Sequence, residues 1–229
     1  MSERTNILTR IREALRVKAK QPGAHHAHDD VEASSHDAAG SVSEWLPAVG
    51  DSFEDRVAAF RKQSGDLRSD FHLLDGEGEM LAKLGQIAQA EGWSRVGSHR
   101  GALTDSAVAS LGLPVLLTDA RYDAVELEKC DAGISQCDAL VAQTGSVVVT
   151  ARSAGGRALS VLPPHHVALA RRDQLLRDLP SAFARLKEIY GGDYPSFISL
   201  ITGPSRTGDI ERILVLGAHG PRKLTILCY

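Results

Sequence analysis

Residues 199–222 read SLITGPSRTGDIERILVLGAHGPR. Residues 196–201 are a β-rich run that Gly203-Pro204-Ser205 breaks. Residues 206–212 have the length of two helical turns. Residues 213–216 are a second apolar run, short enough for a strand buried on both faces. The sequence Gly217-Ala218-His219-Gly220-Pro221 then ends it. The stretch therefore reads strand, loop, short helix, strand, loop, the alternation from which an α/β sheet is built.

The first loop holds the chemistry. Gly203 permits a tight turn or a close approach to a ligand. Ser205 and Thr207 are N-cap candidates for the helix expected after them. Free N–H groups at a helix start, with Arg206 beside them, suit a carboxylate or a phosphate. A well-capped structural turn uses the same residues, with Asp209 and Glu211 complementing the helix dipole. A nucleotide-binding P-loop is excluded. Gly203 and Gly208 have its spacing, but Asp209-Ile210 stands where Lys-Ser/Thr must follow.

The runs ITGPSRTGDIE (201–211) and GAHGPR (217–222) closely resemble the lactate-utilisation protein C family, part of the LUD-domain group. The run AQTGSVVV (142–149), and LPP (162–164) with His166 after it, are similar to the family's central motifs. Residues 7–15, ILTRIREAL, look like its usual start. The resemblance covers the chain from about residue 52, plus that first helix. It implies a fold related to ribose-5-phosphate isomerase, glucosamine-6-phosphate deaminase and the CoA transferases; the α/β alternation alone indicates a Rossmann-like, mostly parallel sheet flanked by helices. One departure is Cys137, which precedes Asp138 where a small residue is expected.

Size and charge narrow the class. The chain has 229 residues, 43% of them hydrophobic, with a formal net charge of −3. That charge gives no basic field for nucleic acid. No apolar run reaches the ~18 residues of a membrane span. Residues 1–20 show no apolar signal region, so a cytoplasmic protein is expected. The cysteines are Cys130, Cys137 and Cys228. Their spacing suits no disulfide framework, and no Cys-x-x-Cys pair offers an iron–sulfur or zinc site. Buried or idle thiols and no cofactor in this chain are expected.

Two regions are expected along the chain, 1–45 and 46–229. Ile7, Leu8, Ile11 and Leu15 make a basic amphipathic helix suited to packing on this protein or on a partner. Residues 21–43 are rich in Ala, Ser, His, Gly and Asp, and read as a flexible acidic linker. His25, His26, His28 and His36 with Asp29 and Asp30 lie there without a fixed frame, so no functional metal site is assigned. From residue 52, helices are expected at 52–62, 77–90 and 103–111. Strands are expected at 70–74, 93–97, 114–117 and 224–228. Gly76-Glu77-Gly78 imitates a dinucleotide fingerprint, but Leu81 replaces the third glycine and Glu77 and Glu79 repel a pyrophosphate. Residues 133–150 read as closely spaced strands around a turn at 144–146, with 157–162 and 166–169 continuing the β-rich block. Residues 171–190 read as one long helix, kinked or restarted at Pro180.

The loops at 144–146, 203–207 and 217–222 lie at strand ends, where α/β sheets bind ligands. They are expected to meet in one anion site built from Thr144, Gly145, Ser146, Gly203, Ser205, Arg206, Thr207, His219 and Arg222. Arg206 is assigned charge pairing with a carboxylate or phosphate; Arg68, remote from these motifs in sequence, is expected to take no part. Ser146 has no evident base partner, so no catalytic group is assigned. The resemblance implies an accessory subunit of a system that oxidises L-lactate to pyruvate, with iron–sulfur clusters carried by two cysteine-rich partner proteins. A stand-alone enzyme on a small phosphorylated or acyl substrate, and a carboxylate-sensing binding module, are the alternatives.

The composition of 21–43 makes a first prediction. Limited proteolysis of the full chain followed by mass spectrometry should show first cuts within 21–43 and a stable fragment from about residue 46. Protease resistance of this segment in the isolated chain would contradict the boundary.

Overall fold

A computed structural model describes Thr9 and residues 46–208, 214–217 and 219–229. The N-terminal helix, the linker and its histidines all fall outside these residues, Thr9 excepted. The elements, numbered in chain order, begin α1 (Phe53–Asp66), β1 (Asp70–Leu73), α2 (Glu77–Glu91), β2 (Val96–Ser98), α3 (Thr104–Leu111), β3 (Val115–Leu117), α4 (Ala124–Glu128) and β4 (Ala132–Gln136). There follow β5 (Ala139–Val141), β6 (Ser146–Thr150), β7 (His165–Ala170), a 3-10 turn (Arg172–Gln174), β8 (Leu175–Leu176) and α5 (Leu179–Tyr190). The last strands are β9 (Ile198–Ile201), β10 (Arg206–Gly208), β11 (Leu214–Leu216) and β12 (Lys223–Cys228).

The main sheet has the order β1-β12-β7-β4-β2-β3, and every neighbouring pair is parallel. Its central strands are continuous apolar runs because both faces are covered. Side-chain alternation sorts them into two layers. Val167, Leu169 and Leu227 join Met80 and Leu84 of α2 and Ala107 and Val108 of α3. Ala168, Ala170, Leu224, Ile226 and Cys228 join Phe60 of α1 and the inner face of a second sheet.

That second sheet has the order β8-β5-β6-β9, antiparallel except for the β5–β8 pair. It also alternates. Leu140, Val147 and Val149 face the main sheet, while Ala139, Val141 and Val148 pack under Ala182 and Leu186 of α5. The stack is thus α2 and α3, the parallel sheet, the second sheet beside α1, and α5 outside.

Three local expectations are corrected. Residues 206–208 are a strand, paired antiparallel with β11, and not the start of a helix. A two-turn helix at this point has only Ile210 to bury, too little to offset the cost of nucleation. Residues 171–190 are not one helix. Leu175 and Leu176 pair with Leu140 and Val141, and the helix starts afresh with Asp178 as N-cap, its carboxylate accepting from the Ser181 N–H at 2.9 Å. Pro180 sits in the first turn, where its missing N–H costs nothing. Residues 157–162 form turns rather than a strand.

His165 and His166 begin β7, are 5% and 1% exposed, and face opposite layers. His165 Nε2 meets Thr225 Oγ1 at 2.8 Å, and His166 Nε2 meets Ser135 Oγ at 2.9 Å. Burial holds both rings neutral, lowering each pKa to about 4. Because folding depresses both values, their contribution is fully present above pH 6.5 and is lost as the pH falls through about 4. Chemical denaturation between those limits should show a loss on the order of 3 kcal/mol per histidine. His166→Gln should remove about half of that dependence; an unchanged pH profile would contradict the assignment.

Candidate functional site

The structure brings the three loops side by side. Gly145, with φ +66, turns β5 into β6, and a Cβ there would lie 2.7 Å from the Ser64 amide nitrogen at the end of α1. Ser146 Oγ contacts Thr144 Oγ1 at 2.7 Å and Thr202 Oγ1 at 2.8 Å. Thr202 leads directly into Gly203, which is buried and rests on Leu67, again at the end of α1. The second and third loops are joined through their backbones. The Ser205 N–H donates to the Pro221 carbonyl at 2.8 Å, and the Gly217 N–H to the Ser205 carbonyl at 2.9 Å.

Their side chains have different tasks. The Ser146 hydroxyl is buried and bonded to its neighbours. Arg206 donates from its guanidinium to the Leu67 carbonyl, at the negative end of the α1 dipole. Residues 206–208 do not start a helix, so their N–H groups are not those of a helix N-terminus. β10 is a strand, and its Thr207 is opposite Val215. His219 is exposed. The loops enclose, with His166, a space of about 10 Å³ bounded by Gly203, Pro204, Ser205 and Pro221. That is room for one water at most.

Arg222 points elsewhere. Its N–H donates to the Pro164 carbonyl at 2.8 Å, and its side chain lines a cavity of about 210 Å³ at the amino ends of β1, β7 and β12. Arg68, remote in sequence, lies on the same cavity, as do Asp70, His72, Glu91 and Lys223. Lys223 Nζ binds both Glu91 oxygens at 2.6 Å, and this bond holds the Glu91 carboxyl below its usual range. Burial and the nearby Lys83 lower the pKa of His72. Sequence reading missed this cavity because its residues come from α2, β1, β7 and β12. The one local signal is a histidine pair opening an apolar strand.

A second polar group, at the carboxyl ends of β2 and β4, also escaped the sequence. The His99 Nε2 accepts from the Gln136 N–H at 3.3 Å, and its Nδ1 lies 2.9 Å from the Arg100 carbonyl, so the proton sits on Nδ1. Gln136 Oε1 accepts from the Leu103 N–H at 2.7 Å, and Asp119 from the Arg100 N–H at 2.7 Å. Nearby, Asp138 accepts from Ser153 Oγ at 2.5 Å and Tyr190 Oη at 2.7 Å. Burial first, and then the Asp138 contact, pushes the Tyr190 phenol up to about 12. These groups satisfy one another and brace the loops between strands.

The three thiols are buried. Burial pushes the Cys137 thiol well up, Cys228 up to about 12, and Cys130 up as well. Cys137 and Cys228 belong to one apolar cluster and Cys130 to another. Such thiols are poor nucleophiles and poor metal ligands. Among the described residues, no three His, Cys, Asp or Glu side chains group to hold a metal, and no helix is long and apolar enough to cross a membrane.

Comparison with known proteins agrees with this architecture. The LUD domain family matches residues 117–229. A protein of Geobacillus kaustophilus called lactate utilization protein C is 30% identical over 198 residues, 79% of this chain and 80% of its own length. A protein of Bacillus velezensis with the same name is 36% identical over 117 residues, 49% of this chain and 48% of its own. The crystal structure of a DUF162 family protein from Deinococcus radiodurans superposes with a TM-score of 0.58 at 21% identity, covering 78% of this chain and 99% of that one; at that identity it supports the fold alone. The fold, the three loop motifs and the match over four-fifths of a relative's length place this chain in the lactate-utilisation protein C family of LUD-domain proteins.

Proposed function

We propose that this chain acts in lactate utilisation as the accessory subunit of a cytoplasmic system that oxidises L-lactate to pyruvate. The reading rests on the relatives called lactate utilization protein C, the first of which matches over most of both chains. Oxidation removes two electrons and two protons from lactate, so the system needs an electron acceptor. The electrons pass to iron–sulfur clusters on two cysteine-rich partner proteins. Three buried thiols in two separate clusters support that division of labour. The part assigned to this chain is to bind a small anion and to dock the cluster-bearing partners, without a cofactor of its own.

Deleting the coding sequence from its host should abolish growth on L-lactate while leaving growth on pyruvate intact, with rescue by the intact chain. Affinity purification from lactate-grown cells should bring down two iron-containing proteins, while the isolated chain carries no stoichiometric iron. Normal growth of the deletion strain on lactate would overturn the reading.

A further inference from the structure

At the carboxyl ends of the main sheet the buried polar groups bond to one another. At the amino ends of β1, β7 and β12 the pairing is incomplete. His165 lines the 210 Å³ cavity there, is 5% exposed, and its Nδ1 has no hydrogen-bond partner. A buried polar atom without a partner is uncommon in folded proteins and calls for an occupant. The ring cannot turn away, because Nε2 is held by Thr225 and Trp93 packs edge-on at 5.3 Å between centroids.

Two guanidiniums line the same cavity. Neither Arg68 nor Arg222 makes a side-chain hydrogen bond or ion pair among the described residues. Both are aimed by strained or crowded backbone. Arg68 follows the α1 cap with φ +63, a left-handed conformation uncommon in a residue with a Cβ. Arg222 lays its stem across Gly217, which has φ +77; a Cβ there would lie 2.2 Å from Arg222 Cγ. Gly217 thus makes room for the side chain it directs.

Charge and shape select the guest. Arg68, Arg222 and Lys223 carry three positive charges, and Asp70 and Glu91 carry two negative ones, leaving one positive charge over. Lys223 already neutralises Glu91. A monoanion balances the site; a phosphate dianion overfills it. The volume is several times the ~30 Å³ of one water, and Ile87 and Ala90 give it an apolar wall. A carboxylate suits a planar guanidinium fork.

We propose that this cavity binds a short-chain monocarboxylate. Arg222 and Arg68 grip the carboxylate, His165 donates from Nδ1 to one of its oxygens while Thr225 donates to Nε2, and the alkyl end lies against Ile87 and Ala90. The site deepens the lactate reading above and rests on it for the acids chosen.

Titration calorimetry on the full chain with L-lactate, pyruvate and inorganic phosphate tests it. L-Lactate or pyruvate should bind more tightly than phosphate. Arg222→Gln and Arg68→Gln should each weaken that binding about 10- to 100-fold, and Arg121→Gln, at an exposed position between β3 and α4 that does not line the cavity, should leave it unchanged. In nitrogen-15 NMR, carboxylate addition should move His165 Nδ1 into the protonated, hydrogen-bonded range. Three results would overturn the site: no carboxylate binding, tighter binding of phosphate, or equal binding by wild type and both cavity variants. Each leaves the lactate role itself to the growth and purification experiments.

Discussion

The strand Lys223–Cys228 is hydrogen-bonded along both edges, to Asp70–Leu73 on one side and to His165–Ala170 on the other. Every feature assigned to function hangs from it. Its first residues, with Arg222 just before them, form a wall of the cavity. Its Thr225 pins His165, and its Leu224 and Ile226 reach the second sheet's layer. A strand in mid-sheet whose partners lie far back in the chain pairs only at the entropic cost of closing long loops. Main-sheet order and cavity geometry therefore share this one strand.

The two ends of the main sheet differ in how their polar groups are used. At the carboxyl ends, His99, Gln136 and Asp119 hold loops against the sheet through bonds of 2.7 to 3.3 Å to backbone N–H groups. At the amino ends, cations face space. The usual rule places ligands of open α/β sheets beyond the carboxyl ends of strands. Here the opposite edge holds a cavity of about 210 Å³ and the unmatched charge. The backbone bonds between 203–207 and 217–222, with Arg206 on the α1 carboxyl end, brace the region behind Arg222.

Much of the fold was legible in residue pattern. The alternation of helices and strands from about residue 52 to 117 announced the parallel sheet, and residues 166–169 and 224–228 were legible as strands, though not their central place in it. The second sheet was legible only as a dense β block, because its pairing joins β8 and β9 from beyond the turns at 151–164. Residues 206–208 misled because Ser205 and Thr207 imitate helix caps, and only the pairing with Leu214–Leu216 reveals a strand. Three loops were marked from sequence and do adjoin. The cavity beside them was illegible. Arg68 reaches it through a left-handed backbone angle that no residue type signals, and His165 shows its unpartnered nitrogen only once Thr225 and Trp93 have fixed the ring.

The dependence of the whole on one strand is open to a direct test by native-state hydrogen exchange. If Lys223–Cys228 locks the sheet and the cavity together, the amides of Leu224, Thr225, Ile226 and Leu227 should exchange only through global unfolding, with protection matching the full unfolding free energy. Exchange of these amides through a local opening that leaves Val167–Leu169 protected would contradict the account.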